Sequence, residues 1–275
     1  EFTELHDLGV LCATWNVNGK KPDPEEDLSL WLKHHEGPPP DIFCIGFQEI
    51  VDLTAVNVMA ETNTKKMSSK WRESLQHTIN QIARSNGQDD SYYLVDEKHL
   101  VGIMLSIFVL EKHRPHIKEA KGQTAGVGVM GMMGNKGGAT IRLQIQNTTL
   151  CFVAAHLAAH RDNVAGRNAD FMNILNKTSF DNEPVEENTE LVESSAGASD
   201  NHDDHGRSYG IMAHDFVFFL GDFNYRIVEG ISTDEVFDKV EKKDFAWLQE
   251  HDQLNVERAK NNTFMGFKEG SGPGG

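Results

Sequence analysis

The chain has 275 residues with 42 acidic and 26 basic side chains, a formal net charge of -16. Hydrophobic residues make up 39%, which excludes wholesale disorder and suits one large domain or two small ones. The longest apolar stretch, Val101 to Leu110 with Ser106 inside it, is too short to span a bilayer, and the acidity opposes binding to a polyanionic nucleic acid.

In chain order, Leu8 to Val17 predicts a first strand, apolar and β-branched and closed by Asn18-Gly19. Leu28 to Leu32 predicts a short helix, stopped by Gly37 and the prolines after it. Asp41 to Phe47 is almost continuously apolar, the pattern of a strand buried on both faces. Trp71, Leu75, Ile79 and Ile82 recur at helical spacing and form one apolar stripe. Tyr92 to Val95 and Gly102 to Leu110 predict a strand pair. Ala139 to Gln146 alternates, with Ile141, Leu143 and Ile145 on one face and Arg142, Gln144 and Gln146 on the other. Asn147-Thr148 would turn it into a second strand, Thr149 to Ala155. Ala165 to Leu175 reads as a helix and Phe216 to Leu220 as a fully buried strand. Thr233 to Leu248 reads as one helix, opened by a capping box at Ser232-Thr233-Asp234-Glu235. Strands alternating with helices, plus hairpins, predict a mixed sheet packed by helices.

Cys12, Cys44 and Cys151 each lie in an apolar run. Their odd number and the lack of a CxxC predict three buried thiols in a reducing compartment, and hence a cytoplasmic protein. No basic-then-apolar leader opens the chain. The acidity is concentrated: Asp181 to His205 carries nine carboxylates and neither lysine nor arginine. With no aromatic side chain it cannot bury enough surface to order itself, and it reads as a solvated loop, with a partner-binding loop as the functional alternative.

Polar residues gather where the predicted strands end. The first ends in Asn16-Val17-Asn18-Gly19 and the second in Gln48-Glu49. The hairpin is entered through Gly134-Asn135-Lys136-Gly137-Gly138 and left through His156-Leu157-Ala158-Ala159-His160. The last strand ends in Gly221-Asp222-Phe223-Asn224-Tyr225-Arg226. Any one of these alone reads equally as a turn former or a helix cap. Together they form an inventory for phosphate chemistry. A carboxylate with amide oxygens suits a hard cation such as Mg²⁺, a second carboxylate can take a proton from water, and Lys, His and Asn can hold the charge on phosphoryl oxygens.

The segments TWNVNG at 14–19, FQEI at 47–50, GNKGG at 134–138, HLAAH at 156–160 and GDFNYRI at 221–227 resemble, in order and spacing, those of the inositol polyphosphate 5-phosphatases. That family belongs to the deoxyribonuclease-I-like, Mg²⁺-dependent phosphoesterases. LVGIML at 100–105, GVGVMGMMGNKGG at 126–138, RNAD at 167–170, KKDFAWL at 242–248 and HDQL at 251–254 are similar to the type II enzymes. The resemblance covers residues 8–270, interrupted by the acidic insertion at 181–207, with a Gly-rich tail at 271–275.

The resemblance implies a four-layer α/β/β/α sandwich of two mixed sheets and removal of the 5-phosphate from phosphoinositides or soluble inositol phosphates. Carried over residue by residue, Glu49 is implied as metal ligand with Asn16 beside the metal. Asp222 is implied as the residue activating water, Asn224 as its partner, and His156 as a phosphate contact. Asn135 and Lys136 are implied as headgroup contacts, and Tyr225 and Arg226 as further substrate contacts, whereas His160 reads as structural. Met130, Met132 and Met133 lie in an apolar, glycine-flexed segment with Lys112, Arg114, Lys118 and Lys121 upstream. Buried turn and membrane contact are both open to it; comparable family loops favour peripheral docking on lipid.

The chain departs from the family pattern in one respect. The family's Trp-Cys-Asp-Arg-Ile and Ser-Asp-His segments are not found, and the Asp204-His205 step lies inside the acidic insertion. The expectation is that these residues alone are inactive or severely impaired. A nuclease of the same superfamily and a non-catalytic phosphoinositide-binding module are the rival readings, and the charge opposes the first.

Overall fold

The computed structural model describes residues 5–23, 26–33, 39–51, 59–87, 89–127, 136–181 and 208–270. Strands β1 (Val10–Asn16), β2 (Ile42–Gln48), β3 (Tyr92–Leu100) and β4 (Ile103–Leu110) form one sheet in the order β1-β2-β4-β3. Strands β5 (Ile117–Gly126), β6 (Gly137–Ile145) and β7 (Thr148–His156) belong to the second. After a small pair, β8 (Ser179–Asp181) and β9 (Ser208–Gly210), that sheet is completed by β10 (Phe216–Asp222), in the order β10-β7-β6-β5. The helices are α1 (Ser29–Leu32), α2 (Met59–Ser85), α3 (Val164–Lys177), α4 (Thr233–Glu241), α5 (Phe245–Glu250) and α6 (Gln253–Ala259). None of those described is long and apolar enough to cross a membrane.

Strand alternation explains the layering. On β2, Phe43, Ile45 and Phe47 point outward onto the α2 stripe of Trp71, Leu75, Ile79 and Ile82. Ile42 and Cys44 point inward, against Leu143, Phe152 and Ala154 of the second sheet. On β7, Cys151, Val153 and Ala155 face away from that interior and pack on Phe171 and Ile174 of α3 and on Phe264. Two sheets with three apolar layers, inner and outer, make the α/β/β/α sandwich.

Strand polarity decides where chemistry can occur. β1 runs parallel to β2 and β10 parallel to β7, so four carboxyl-terminal strand ends open on one edge of the sandwich. The register pairs Asn16 with Gln48 and Asp222 with His156. The sheets also approach closely there: a Cβ on Gly46 would stand 3.0 Å from the Ala154 Cβ.

Several sequence expectations need correction. Thr233 to Leu248 is two helices, because Lys243 is left-handed (φ 56°) and the Asp244 carboxylate caps the Trp247 N–H. The Ser232 hydroxyl does accept from Glu235 N–H. Strand β10 is not fully buried, since among the described strands it pairs only with β7, and Phe216 is 57% exposed. Cys12 is exposed for the related reason that β1 is an edge strand, whereas Cys44 and Cys151 are buried. The hairpin turns at Gln146-Asn147, one residue earlier than expected, with Gln146 left-handed (φ 51°). Strand β5 had no expectation: its mixed residues form a ladder with β6 despite weak alternation. The acidic insertion lies outside the described residues, apart from Asp181 in β8.

Gly221 supplies the test of this packing. Its φ is +139°, and a Cβ would sit 2.0 Å from the Ala155 carbonyl oxygen, which is backbone and cannot yield. Gly221→Ala is expected to cost more than about 4 kcal/mol of stability or to prevent soluble expression. Gly210→Ala, where nothing lies within 4 Å, should stay within about 0.5 kcal/mol. Equal urea midpoints for the two variants would contradict the close-packed strand end.

Candidate active site

The site is assembled from those strand ends. At the end of β1 the Asn16 Oδ1 accepts the Asn18 N–H at 3.0 Å, a local turn that Asn18 completes with φ 48°. Its Nδ2 is thereby aimed outward and donates to Glu49 Oε1 at 3.1 Å and to Asp222 Oδ2 at 2.9 Å. Glu49, just past β2, is itself left-handed (φ 55°), and its carbonyl accepts the Gly19 N–H at 2.7 Å. Asp222 Oδ1 accepts the Asn224 N–H at 3.0 Å. Asn224 is left-handed (φ 58°), and its Nδ2 donates to the Leu157 carbonyl at 3.0 Å. Left-handed geometry is uncommon for Glu, and its appearance beside Asn224 marks a constrained locus.

His156 stands on the floor, 1% exposed, with Nε2 3.4 Å from Asp222 Oδ2 and 3.8 Å from Glu49 Oε1. Lys136 Nζ contacts the same Nε2. A lysine can only donate, so this nitrogen accepts and the imidazole is neutral. Burial, followed by the Lys136 charge, pushes the His156 pKa down to about 4, against the opposing pull of Asp222 and Glu49. Burial also lowers the Lys136 ammonium, and the carboxylates of Asp222, Glu49 and Asp170 counter it. Asp170, held by the Ala158 N–H at 2.8 Å, is raised by burial.

The structure therefore brings together Asn16, Glu49, Lys136, His156, Asp222 and Asn224. Tyr225 turns beneath the site, its hydroxyl donating to Asn168 Oδ1 at 2.5 Å, and Arg226 Nη2 donates to Asn224 Oδ1 at 2.8 Å. Asn135, Met130, Met132 and Met133 lie outside the described residues. The basic residues upstream are largely engaged: Lys112 pairs with Asp41 (2.7 Å), Arg114 with Glu111 (2.6 Å) and Lys121 with Glu119 (2.7 Å), while Lys118 bonds Asn147 (3.0 Å). His160 is a loop residue (φ 74°) whose carbonyl accepts from Arg167. Arg167, Asp170 and Gln253, which surround the site from below, were legible only as members of RNAD and HDQL.

Among the described residues no cluster of three or more His, Cys, Asp or Glu forms a ready metal cage. What is present is two carboxylates, Glu49 and Asp222, sharing the Asn16 amide and facing one opening. That donor set fits Mg²⁺, which binds through one or two carboxylates, retains waters and takes further oxygens from a phosphate. In this hydrogen-bond arrangement Asn16 orients the carboxylates, and its own oxygen is committed to Asn18.

Comparison with known proteins gives a consistent picture. Residues 13–272 match the model of "Endonuclease/Exonuclease/phosphatase family 2". Synaptojanin-2 of Rattus norvegicus is 34% identical over 98% of the chain and 17% of its own length. The type II inositol 1,4,5-trisphosphate 5-phosphatase of Mus musculus is 34% identical over 98% of the chain and 24% of its own length. A crystal structure of the inositol polyphosphate 5-phosphatase domain of SPsynaptojanin, in complex with inositol (1,4)-bisphosphate and calcium ion, superposes with a TM-score of 0.74 at 29% identity. It covers 95% of this chain and 65% of that one. The chain thus spans less than two thirds of each of these proteins.

The buried histidine makes stability pH-dependent. Its folded pKa lies below its ordinary value of 6.5, so between about 4 and 6.5 the unfolded chain binds the extra proton. Stability is fully present above that window and is lost as pH falls through it. His214, also depressed by burial, contributes with the same sign. Urea midpoints in EDTA at pH 7 and pH 5 are expected to differ in the wild type and to differ less in His156→Gln. An identical shift in both proteins would show that His156 titrates normally.

Proposed function

The chain belongs to endonuclease/exonuclease/phosphatase family 2, and on that premise we propose that it is a Mg²⁺-dependent phosphatase removing the 5-phosphate from phosphoinositides and soluble inositol phosphates. The observation that carries this reading is the meeting of Asn16, Glu49, His156 and Asp222 within hydrogen-bond range beside Lys136. A divalent ion at Glu49 would supply charge neutralisation at a phosphoryl oxygen.

The chain's own residues supply the rest. Asp222 has one oxygen fixed by Asn16 and the other by the Asn224 N–H, so its rotamer is set. Its remaining lone pairs can receive a proton from an attacking water. Lys136, whose ammonium now donates to His156 Nε2, lies where a phosphoryl oxygen would meet it, and its positive charge would stabilise the equatorial oxygens of an in-line displacement. Burial of the pair excludes competing water. Asn224 and Arg226, joined to each other, frame the same opening.

The reading extends to a peripheral, cytoplasmic protein that docks on lipid through Met130, Met132 and Met133; the apolar, glycine-interrupted sequence of that segment and the three free cysteines support it.

Phosphate release from phosphatidylinositol 4,5-bisphosphate vesicles and from inositol 1,4,5-trisphosphate by the full-length protein is the test. Release should require Mg²⁺, stop with EDTA, and fall at least ~100-fold in Glu49→Gln and Asp222→Asn. Plasmid nicking without phosphate release would select a nuclease instead. Lipid binding without turnover in the full-length protein would select a binding module.

A further inference from the structure

Arg167 and Gln253 come from two motifs that the site chemistry leaves unused, RNAD on α3 and HDQL at the start of α6. They are 0% and 4% exposed. The Arg167 guanidinium donates to the carbonyls of His160 (2.5 Å), Arg161 (3.2 Å) and Ala158 (3.4 Å) and to Gln253 Oε1 (2.7 Å). Its Cζ lies 5.0 Å from the centroid of the Tyr225 ring. Among the described residues no carboxylate hydrogen-bonds this buried cation. Carbonyl dipoles, a ring face and the more distant Asp162 carboxylate oppose the burial of its charge.

The orientation of Gln253 follows from elementary donor and acceptor counting. Arginine only donates, so the amide atom facing it is the oxygen. The second lone pair of that oxygen accepts the Arg226 N–H at 2.9 Å, and Nε2 donates to the Arg161 carbonyl at 2.9 Å. Arg226 in turn donates to Asn224 Oδ1, and Asn224 to the Leu157 carbonyl. One buried pair thus fastens the segment after Asp222 to the segment after His156.

We propose that Arg167 and Gln253 are positioning residues for the reaction: a buried guanidinium–amide clamp that holds the Asn224–Arg226 segment, which begins at left-handed Asn224, against the loop following His156. The clamp acts through the Arg226 main chain and the Asn224 side chain, and its catalytic consequence rests on the phosphatase reading. Small misplacements of such groups cost up to ~10²-fold in rate.

Gln253→Leu and Gln253→Glu in the full-length protein provide the test. The leucine variant should lower kcat by ~10–100-fold on inositol 1,4,5-trisphosphate with Mg²⁺, with KM changed less than ~3-fold. In the same variant, amide exchange followed by NMR should be at least ~10-fold faster at Arg226, with the core amides of Phe152 and Val153 unchanged. A carboxylate keeps the acceptor shared by Arg167 and Arg226 but loses the donor to the Arg161 carbonyl, so Gln253→Glu should recover kcat only in part, to at least ~3-fold above the leucine variant. The clamp is overturned by unchanged exchange at Arg226, by a loss of protection spread through the core, by a leucine variant with wild-type kcat, or by a glutamate variant no better than leucine. A wild type that releases no phosphate refutes the phosphatase reading, and the exchange comparison then decides the clamp alone.

Discussion

The Asn16 carboxamide donates one N–H to a carboxylate from its own sheet, Glu49, and the other to a carboxylate from the opposite sheet, Asp222. Two anions that would repel are thereby held on one donor group. The distance between the sheets that permits this is set by small residues, since Gly46 has no Cβ to meet Ala154. Parallel pairing of β1 with β2 and of β7 with β10 then brings all the polar strand ends to that edge. An antiparallel arrangement of either pair would send Asp222 or Glu49 to the far end of the sandwich.

Beside this junction the ammonium of Lys136 lies against a neutral imidazole. Burial disfavours charge on Lys136 and keeps His156 neutral at pH 7. On the phosphatase reading, a dianionic phosphate entering the opening would offer Lys136 a stronger partner than imidazole and relieve part of the penalty that folding imposed. Left-handed backbone at Glu49 and Asn224 has the same sense: local strain is retained where side chains must be aimed.

Much of the fold was readable in advance because it follows from local periodicity. The α2 stripe, the β6 alternation and the apolar run of β2 each occupy the layer their patterns require. Errors fell where pairing or one residue's backbone decides. Lys243 broke a helix that periodicity would have continued, and β10 looked buried from composition yet lies at a sheet edge. Strand β5, with weak alternation, exists because β6 provides a partner.

The candidate site divides along the same line. The residue types for phosphate chemistry, their order and their location at strand ends were written in the sequence, because turns after apolar runs are local features. The sequence also displayed RNAD and HDQL without a role. Only the tertiary structure decided that Asn16, bonded to Glu49, also reaches Asp222 from 206 positions away, that Lys136 meets His156, and that Arg167 grips Gln253 from 86 positions away. Those contacts depend on strand polarity, register and the spacing of two sheets, and these arise from long-range packing that no short window of residues contains.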